Sequence, residues 1–157
     1  MAEIERKVKV GDTAQDFTLK DQDSKEFKLS EHKGRRVLLS FHPLAWTPVC
    51  TQQMLSLEEN YAVFESLRTM PLGLSVDPLP SKKAWADNIG IKKVPLLSDF
   101  WPHGEVAKLF DIFREKNGFS ERANIVIDEK GEIALFKTYP VSQLPDINEI
   151  IEAIRKL

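Results

Sequence analysis

Residues 37–50 read VLLSFHPLAWTPVC. The first five are mostly apolar and too few for a helix, which suits a strand buried on both faces. A short loop follows, and from Cys50 the hydrophobic period changes. Met54, Leu57, Tyr61, Phe64 and Leu67 recur at spacings of three and four, while Glu58, Glu59 and Glu65 take the other side. That pattern predicts one amphipathic helix over residues 50–68. A buried strand feeding a helix through a tight loop is the repeating unit of an α/β fold. Ligands and chemistry gather where such a strand ends.

Upstream, DFTLKDQDSKEFKL (residues 16–29) alternates at Phe17 and Leu19, turns over residues 21–25, and alternates again at Phe27 and Leu29, predicting a hairpin. Downstream, PLGLSVD (71–77) returns to strand character, and Ser81 caps an expected short helix through Ala84, Trp85 and Ile89. VPLLSD (94–99) reads as a strand whose Pro95 places it at its first position or at a sheet edge. Residues 105–113 read as a short helix with Val106, Leu109, Phe110 and Phe113 inward. ANIVIDEKGEIALFKTY (123–139) gives two strands around a turn at residues 129–131, and Ile147, Ile150, Ile151, Ile154 and Leu157 make a closing helix stripe. Strands alternating with helices imply a central sheet covered on both faces, in one domain over residues 1–157.

Composition narrows the function. The chain has 157 residues, enough to bury a core without a metal or disulfide, and 42% of them are hydrophobic. Lys and Arg number 22 against 24 Asp and Glu, a net charge of −2 with no basic patch, so a nucleic-acid partner is not expected. No apolar run approaches a membrane span, and MAEIERKVKV carries no apolar signal core, which points to the cytoplasm. Cys50 is the only cysteine, excluding an intramolecular disulfide. His32, His42 and His103 lie far apart without ligand spacing, and the glycines are scattered singly, so neither a metal nor a phosphate-bound cofactor is expected.

A lone cysteine is commonly a small buried hydrophobe. The setting of Cys50 argues otherwise. Thr47 is a good N-cap, Pro48 fits the first helical position, and Cys50 then falls third, in a spacing resembling a capping box. Unpaired amides and the positive end of the helix would face the sulfur and favour thiolate over thiol.

The run PLAWTPVC (43–50) also matches the P-x-x-x-T-x-x-C signature of peroxiredoxins, through Pro43, Thr47 and Cys50. RANIVIDEKGEI (122–133) resembles that family's arginine-bearing strand and hairpin. LLSD (96–99), GEVAKLF (104–110) and DFTLKDQDSKEFKLS near the start also resemble it. The likeness covers nearly the whole chain and implies a thioredoxin-like fold, a central mixed sheet flanked by helices with an N-terminal β-hairpin extension. It implies a thiol-dependent peroxidase of the AhpC/TSA superfamily, compact and similar to the AhpE-like or bacterioferritin-comigratory-like groups.

What the resemblance implies of the site is specific. Arg122, which by itself reads as a charge at a strand edge, is brought beside Cys50. There it favours thiolate and holds a peroxide oxygen with its fork of donors. Thr47 supplies a hydroxyl, and Pro43 shields the sulfur. Attack on peroxide leaves Cys50 as sulfenic acid. With no second cysteine, an external small thiol or redoxin-type protein must reduce it. Gln53 stands where relatives often carry an acidic residue, and His42 replaces the usual tyrosine or phenylalanine. His42 has two readings, a hydrogen bond to substrate or Thr47, or packing at the strand end. Loop tryptophans, Trp46 above all, are read equally as contacts of a homodimer formed through the active-site loops and as local packing. Two further functions are weighed against the peroxidase, a redox sensor passing oxidation to a partner and a cysteine hydrolase using His42 as base.

Overall fold

The strand of residues 37–41 lies at the centre of the molecule. A computed structural model of the chain describes residues 7–157, so most of the opening stretch read for a leader lies outside the described residues. β3 (Arg36–Phe41) has β4 (Thr69–Ser75) parallel on one side and β8 (Arg122–Ile127) antiparallel on the other. β5 (Leu96–Ser98) and β9 (Ile133–Tyr139) complete a mixed five-stranded sheet in the order β5-β4-β3-β8-β9. Pro95 therefore precedes an edge strand, where its missing N–H costs no ladder bond. The hairpin is β1 (Thr18–Lys20) with β2 (Glu26–Lys28). The fold is thioredoxin-like.

Alternation along β3 sorts its side chains between two cores. Val37, Leu39 and Phe41 join Phe17, Phe27, Leu72, Val106 and Phe110 under the hairpin and α4 (Glu105–Leu109). Leu38 points the other way, toward Met54, Leu57, Phe64, Trp85 and Ile150. These come from α1 (Pro48–Glu59), α2 (Tyr61–Ser66), α3 (Leu79–Ile89) and α5 (Ile147–Arg155). Cys50 belongs to this second core. Gly73 on β4 permits the close approach of α1, since a Cβ there would lie 2.4 Å from Met54 Sδ and 2.8 Å from Leu96 Cδ2.

Three expectations are corrected. The predicted helix over 50–68 is two helices, because Asn60 leaves helical geometry (φ −105, ψ 15) and its Nδ2 donates to Ser56 O at 2.8 Å. Ser81 is not a cap; α3 starts earlier, behind Pro78, with Pro80 in its first turn. The helix over 105–113 stops at Leu109, and Asp111 turns the chain at φ 56. Phe113–Arg114 (β6) then pairs with Phe119–Ser120 (β7), a small hairpin that the hydrophobic pattern does not predict.

Candidate active site

α1 begins at Pro48 behind N-cap Thr47, so Cys50 is the third helical residue, as expected. Its side chain is 1% exposed. The predicted cap bond is absent. Thr47 Oγ1 instead donates to Leu44 O at 2.8 Å, closing the loop just before the helix. Within that loop Trp46 holds φ 72, a left-handed conformation that costs a bulky residue roughly 1–3 kcal/mol and must be held by its surroundings. One anchor is its indole, whose Nε1 donates to Ser81 Oγ at 3.0 Å. Pro43, which opens the same loop, is buried.

Arg122, the first residue of β8, is 2% exposed and reaches the sulfur, with Nη1 donating to Cys50 Sγ at 3.3 Å. A buried guanidinium requires partners. Nη1 also donates to Gln53 Oε1 at 2.7 Å, while Nε and Nη2 donate to Val141 O at 3.0 and 2.6 Å. These bonds use four of its five N–H groups. Gln53 Nε2 donates onward to Ser40 Oγ at 2.7 Å and Phe41 O at 3.2 Å, and Ser40 Oγ donates to Asn124 Oδ1 at 2.7 Å. Ser40, Gln53 and Asn124 are all buried. The cation is thus built into the sheet through α1, β3 and β8.

Behind the loop lies a second polar chain. His42 and Lys82 are both 0% exposed, and Lys82 Nζ stands 3.1 Å from His42 Nε2. His42 Nδ1 lies 3.4 Å from Ser40 O, an acceptor only, so Nδ1 bears the proton and Nε2 accepts from Lys82. Burial, then the Lys82 ammonium, push the imidazole well below its usual range, keeping it neutral. Burial also pulls Lys82 down to about 7, against the opposing attraction of Asp77 and Cys50. The two readings of His42 resolve to packing and a lysine contact. Its nitrogens face Ser40 and Lys82, so the hydrolase reading loses its base.

Capping pattern brought Cys50 and Thr47 forward and family resemblance added Pro43 and Arg122; the fold gathers the four at one end of β3. Neither pattern nor resemblance pointed to Lys82, Ser75, Asp77 or the Val141 carbonyl. Ser40 gave a signal, a polar residue at the centre of an apolar strand, and Val141 O, being backbone, gave none. Among the described residues no three His, Cys, Asp or Glu side chains gather to hold a metal ion, and no helix is long and apolar enough to cross a membrane.

The sequence profile of the AhpC/TSA family matches residues 10–136. The chain belongs to the AhpC/TSA family. It is 42% identical over 125 residues to alkyl hydroperoxide reductase E of Mycobacterium tuberculosis, covering 79% of this chain and 81% of that protein. It is 34% identical to peroxiredoxin 2 of Thermoplasma acidophilum over 94% of this chain and 75% of that protein. Its fold superimposes on the reduced 2-Cys peroxiredoxin of Plasmodium vivax with a TM-score of 0.86 and 27% identity, over 93% of this chain and 80% of the other. The M. tuberculosis peroxidoxin BcpB gives a TM-score of 0.82 at 27% identity, over 95% and 97% of the two chains. This peroxiredoxin is a thiol peroxidase acting through a single catalytic cysteine.

Proposed function

We propose that Cys50 is the thiolate that attacks peroxide, with Arg122, Thr47 and Pro43 forming its pocket. The observation that carries this reading is the Arg122 Nη1 to Cys50 Sγ bond of 3.3 Å between two side chains no more than 2% exposed. The sulfur lone pair forms an S–O bond as the O–O bond breaks, giving sulfenic acid and hydroxide or alkoxide, which takes a proton to leave as water or alcohol. Negative charge moves from sulfur toward the departing oxygen. The remaining guanidinium N–H and the first-turn amides of α1 can follow that charge, strengthening in the transition state. Thr47 Oγ1 spends its proton on Leu44 O, leaving its lone pairs to accept from the hydroperoxide O–H. Pro43 closes one wall against water.

An external thiol then attacks the sulfenic sulfur, expelling water and forming a mixed disulfide; a second thiol releases Cys50. A small thiol or a redoxin-type protein serves this step, and a cycle that consumes thiols suits the reducing cytoplasm. Residues 1–157 act as a single domain, and the protein pairs into a homodimer through its active-site loops. Leu44, Trp46, Phe100 and Trp101 support that pairing, being 38, 50, 44 and 81% exposed around one end of the sheet.

Stopped-flow mixing of the reduced protein with hydrogen peroxide, read by tryptophan fluorescence and intact mass, tests the chemistry. A fast signal with one added oxygen atom, lost in Cys50→Ser, is expected. Arg122→Ala should slow it roughly 100-fold or more, the scale of losing a donor that follows developing charge. An unchanged rate would remove Arg122 from the site. For the dimer, Trp46→Ala should shift the sedimentation distribution toward monomer, and an unaltered distribution would sink the loop-mediated interface.

A further inference from the structure

Lys82 is a buried cation that the chemistry above does not use. Lysine is almost never fully buried without a partner, and a methionine of similar length would fill the space without the cost of desolvation. Among the described residues no carboxylate touches it directly. Its Nζ donates to Ser75 Oγ at 2.6 Å and to His42 Nε2 at 3.1 Å, and lies 5.5 Å from the Trp85 ring centroid. Ser75 Oγ passes its own proton to Asp77 Oδ2 at 2.6 Å, and the same oxygen accepts from Ala45 N at 2.8 Å. The chain Lys82–Ser75–Asp77–Ala45 therefore ends inside the loop of residues 43–47. Ser98 Oγ fixes the Asp77 backbone by donating to its carbonyl at 2.7 Å.

We propose that Lys82 is a positioning residue of the peroxide reaction. Through Ser75 and Asp77 it holds the loop that carries Pro43 and Thr47, and it sets a second positive charge behind the Cys50 sulfur. The proposal rests on Cys50 being the reacting thiolate.

The charged and titratable groups around it fix the sign. His42 faces it from the end of β3 and is neutral. Asp77 beyond β4 and Cys50 on α1 both favour the ammonium. Arg122 on β8 bears on His42, and Lys83, next along α3, turns away to Asp23 and Asp87. Below neutrality both Arg122 and Lys82 are positive: Arg122 lies 3.3 Å from the sulfur, and Lys82 is on the helix whose Trp85 packs in the same core as Cys50. Above it Lys82 gives up its proton and Arg122 alone remains charged, while the Ser75 and His42 bonds survive in the neutral amine.

The test compares Lys82→Met with the unaltered protein across the pH range, reading Cys50 oxidation by peroxide and, in parallel, its alkylation by iodoacetamide, which needs the thiolate but no peroxide. Lys82→Met should react about tenfold more slowly near pH 6 in both assays, a loss of about 1.4 kcal/mol, with the ratio shrinking toward about pH 9 as the unaltered lysine loses its charge. A side chain that only fills space would give a ratio independent of pH, and that outcome, or no change, overturns the proposal. If Lys82→Met does not fold, Ser75→Ala decides: with one acceptor removed from the ammonium, the neutral-range inflection should move to lower pH and the rate should fall. Curves superimposing on those of the unaltered protein overturn it. Loss of peroxide reactivity in the unaltered protein, with alkylation intact, would instead count against the peroxidase reading alone.

Discussion

Gln53 couples the guanidinium to the end of the central strand, and its amide orientation is settled by its partners. Arg122 only donates, so Oε1 faces it; Phe41 O only accepts, so Nε2 faces that carbonyl and Ser40 Oγ. A carboxylate would set an oxygen against the Phe41 carbonyl, which is why an amide suits this site. Gln53→Met keeps the length and removes every bond. It should cost about 1–3 kcal/mol in urea denaturation, because Ser40 and Arg122 lose buried partners, and should slow peroxide oxidation as the guanidinium loosens. Full retention of stability would show that these groups find other partners. Thr47 separates geometry from bulk in the same way: Thr47→Ser keeps the bond to Leu44 O and should react faster than Thr47→Val, which cannot make it. Equal rates would leave the hydroxyl without a role.

Among the elements, α1 carries both the site and a brace for it. Glu58 was assigned from its period to the solvent side of the helix, yet its carboxylate accepts from the backbone N–H groups of Lys92, Lys93 and Val94 at 3.0–3.2 Å. It ties the end of α1 to the approach to β5. Glu58→Gln retains one acceptor oxygen but loses the charge, so about 1–2 kcal/mol of stability should go with it. A urea midpoint unchanged by the substitution would mean that water satisfies these amides equally well. Short apolar runs recovered the strands of the central sheet, whose inner members are buried on both faces. The three-and-four period marked the helical stretches on its Cys50 side, which bury one face. It could not find the break at Asn60, since the apolar stripe runs on through Tyr61, Phe64 and Leu67 and only a local side-chain bond interrupts the helix. The two-residue strands β6 and β7 are too short to carry a period. The Lys82 chain joins α3, β3, β4 and the 43–47 loop, and no sequence spacing connects them. Arg122 was legible only through family likeness, as its separation of 72 residues from Cys50 is bridged by sheet topology alone.

Across the whole molecule, two buried ionisable groups on opposite sides of the sheet pull stability in opposite directions with pH. Asp99, before α4, accepts from Val106 N and Ala107 N, each at 3.0 Å, but burial outweighs these bonds and raises it to about 6. Its folded value lies above the unfolded carboxylate near 4, so its favourable contribution is complete below about pH 4 and lost as pH rises through about 6. Lys82 behaves in reverse. Its folded value of about 7 lies below that of an unfolded lysine near 10, so across that interval the unfolded chain binds the extra proton and folding becomes more favourable as pH rises. Each slope is limited to about 1.4 kcal/mol per pH unit for a single proton. Together the two groups predict a shallow minimum in their summed contribution between about pH 6 and 7, the interval in which both are substantially charged. Urea denaturation of the unaltered protein and of Lys82→Met from about pH 5 to 9 isolates the second limb. The difference in unfolding free energy between them should change in favour of the unaltered protein above neutrality and stay level below it. A difference level throughout would mean that the ammonium is as well solvated in the fold as in the unfolded chain, in conflict with its complete burial between His42, Ser75 and Trp85.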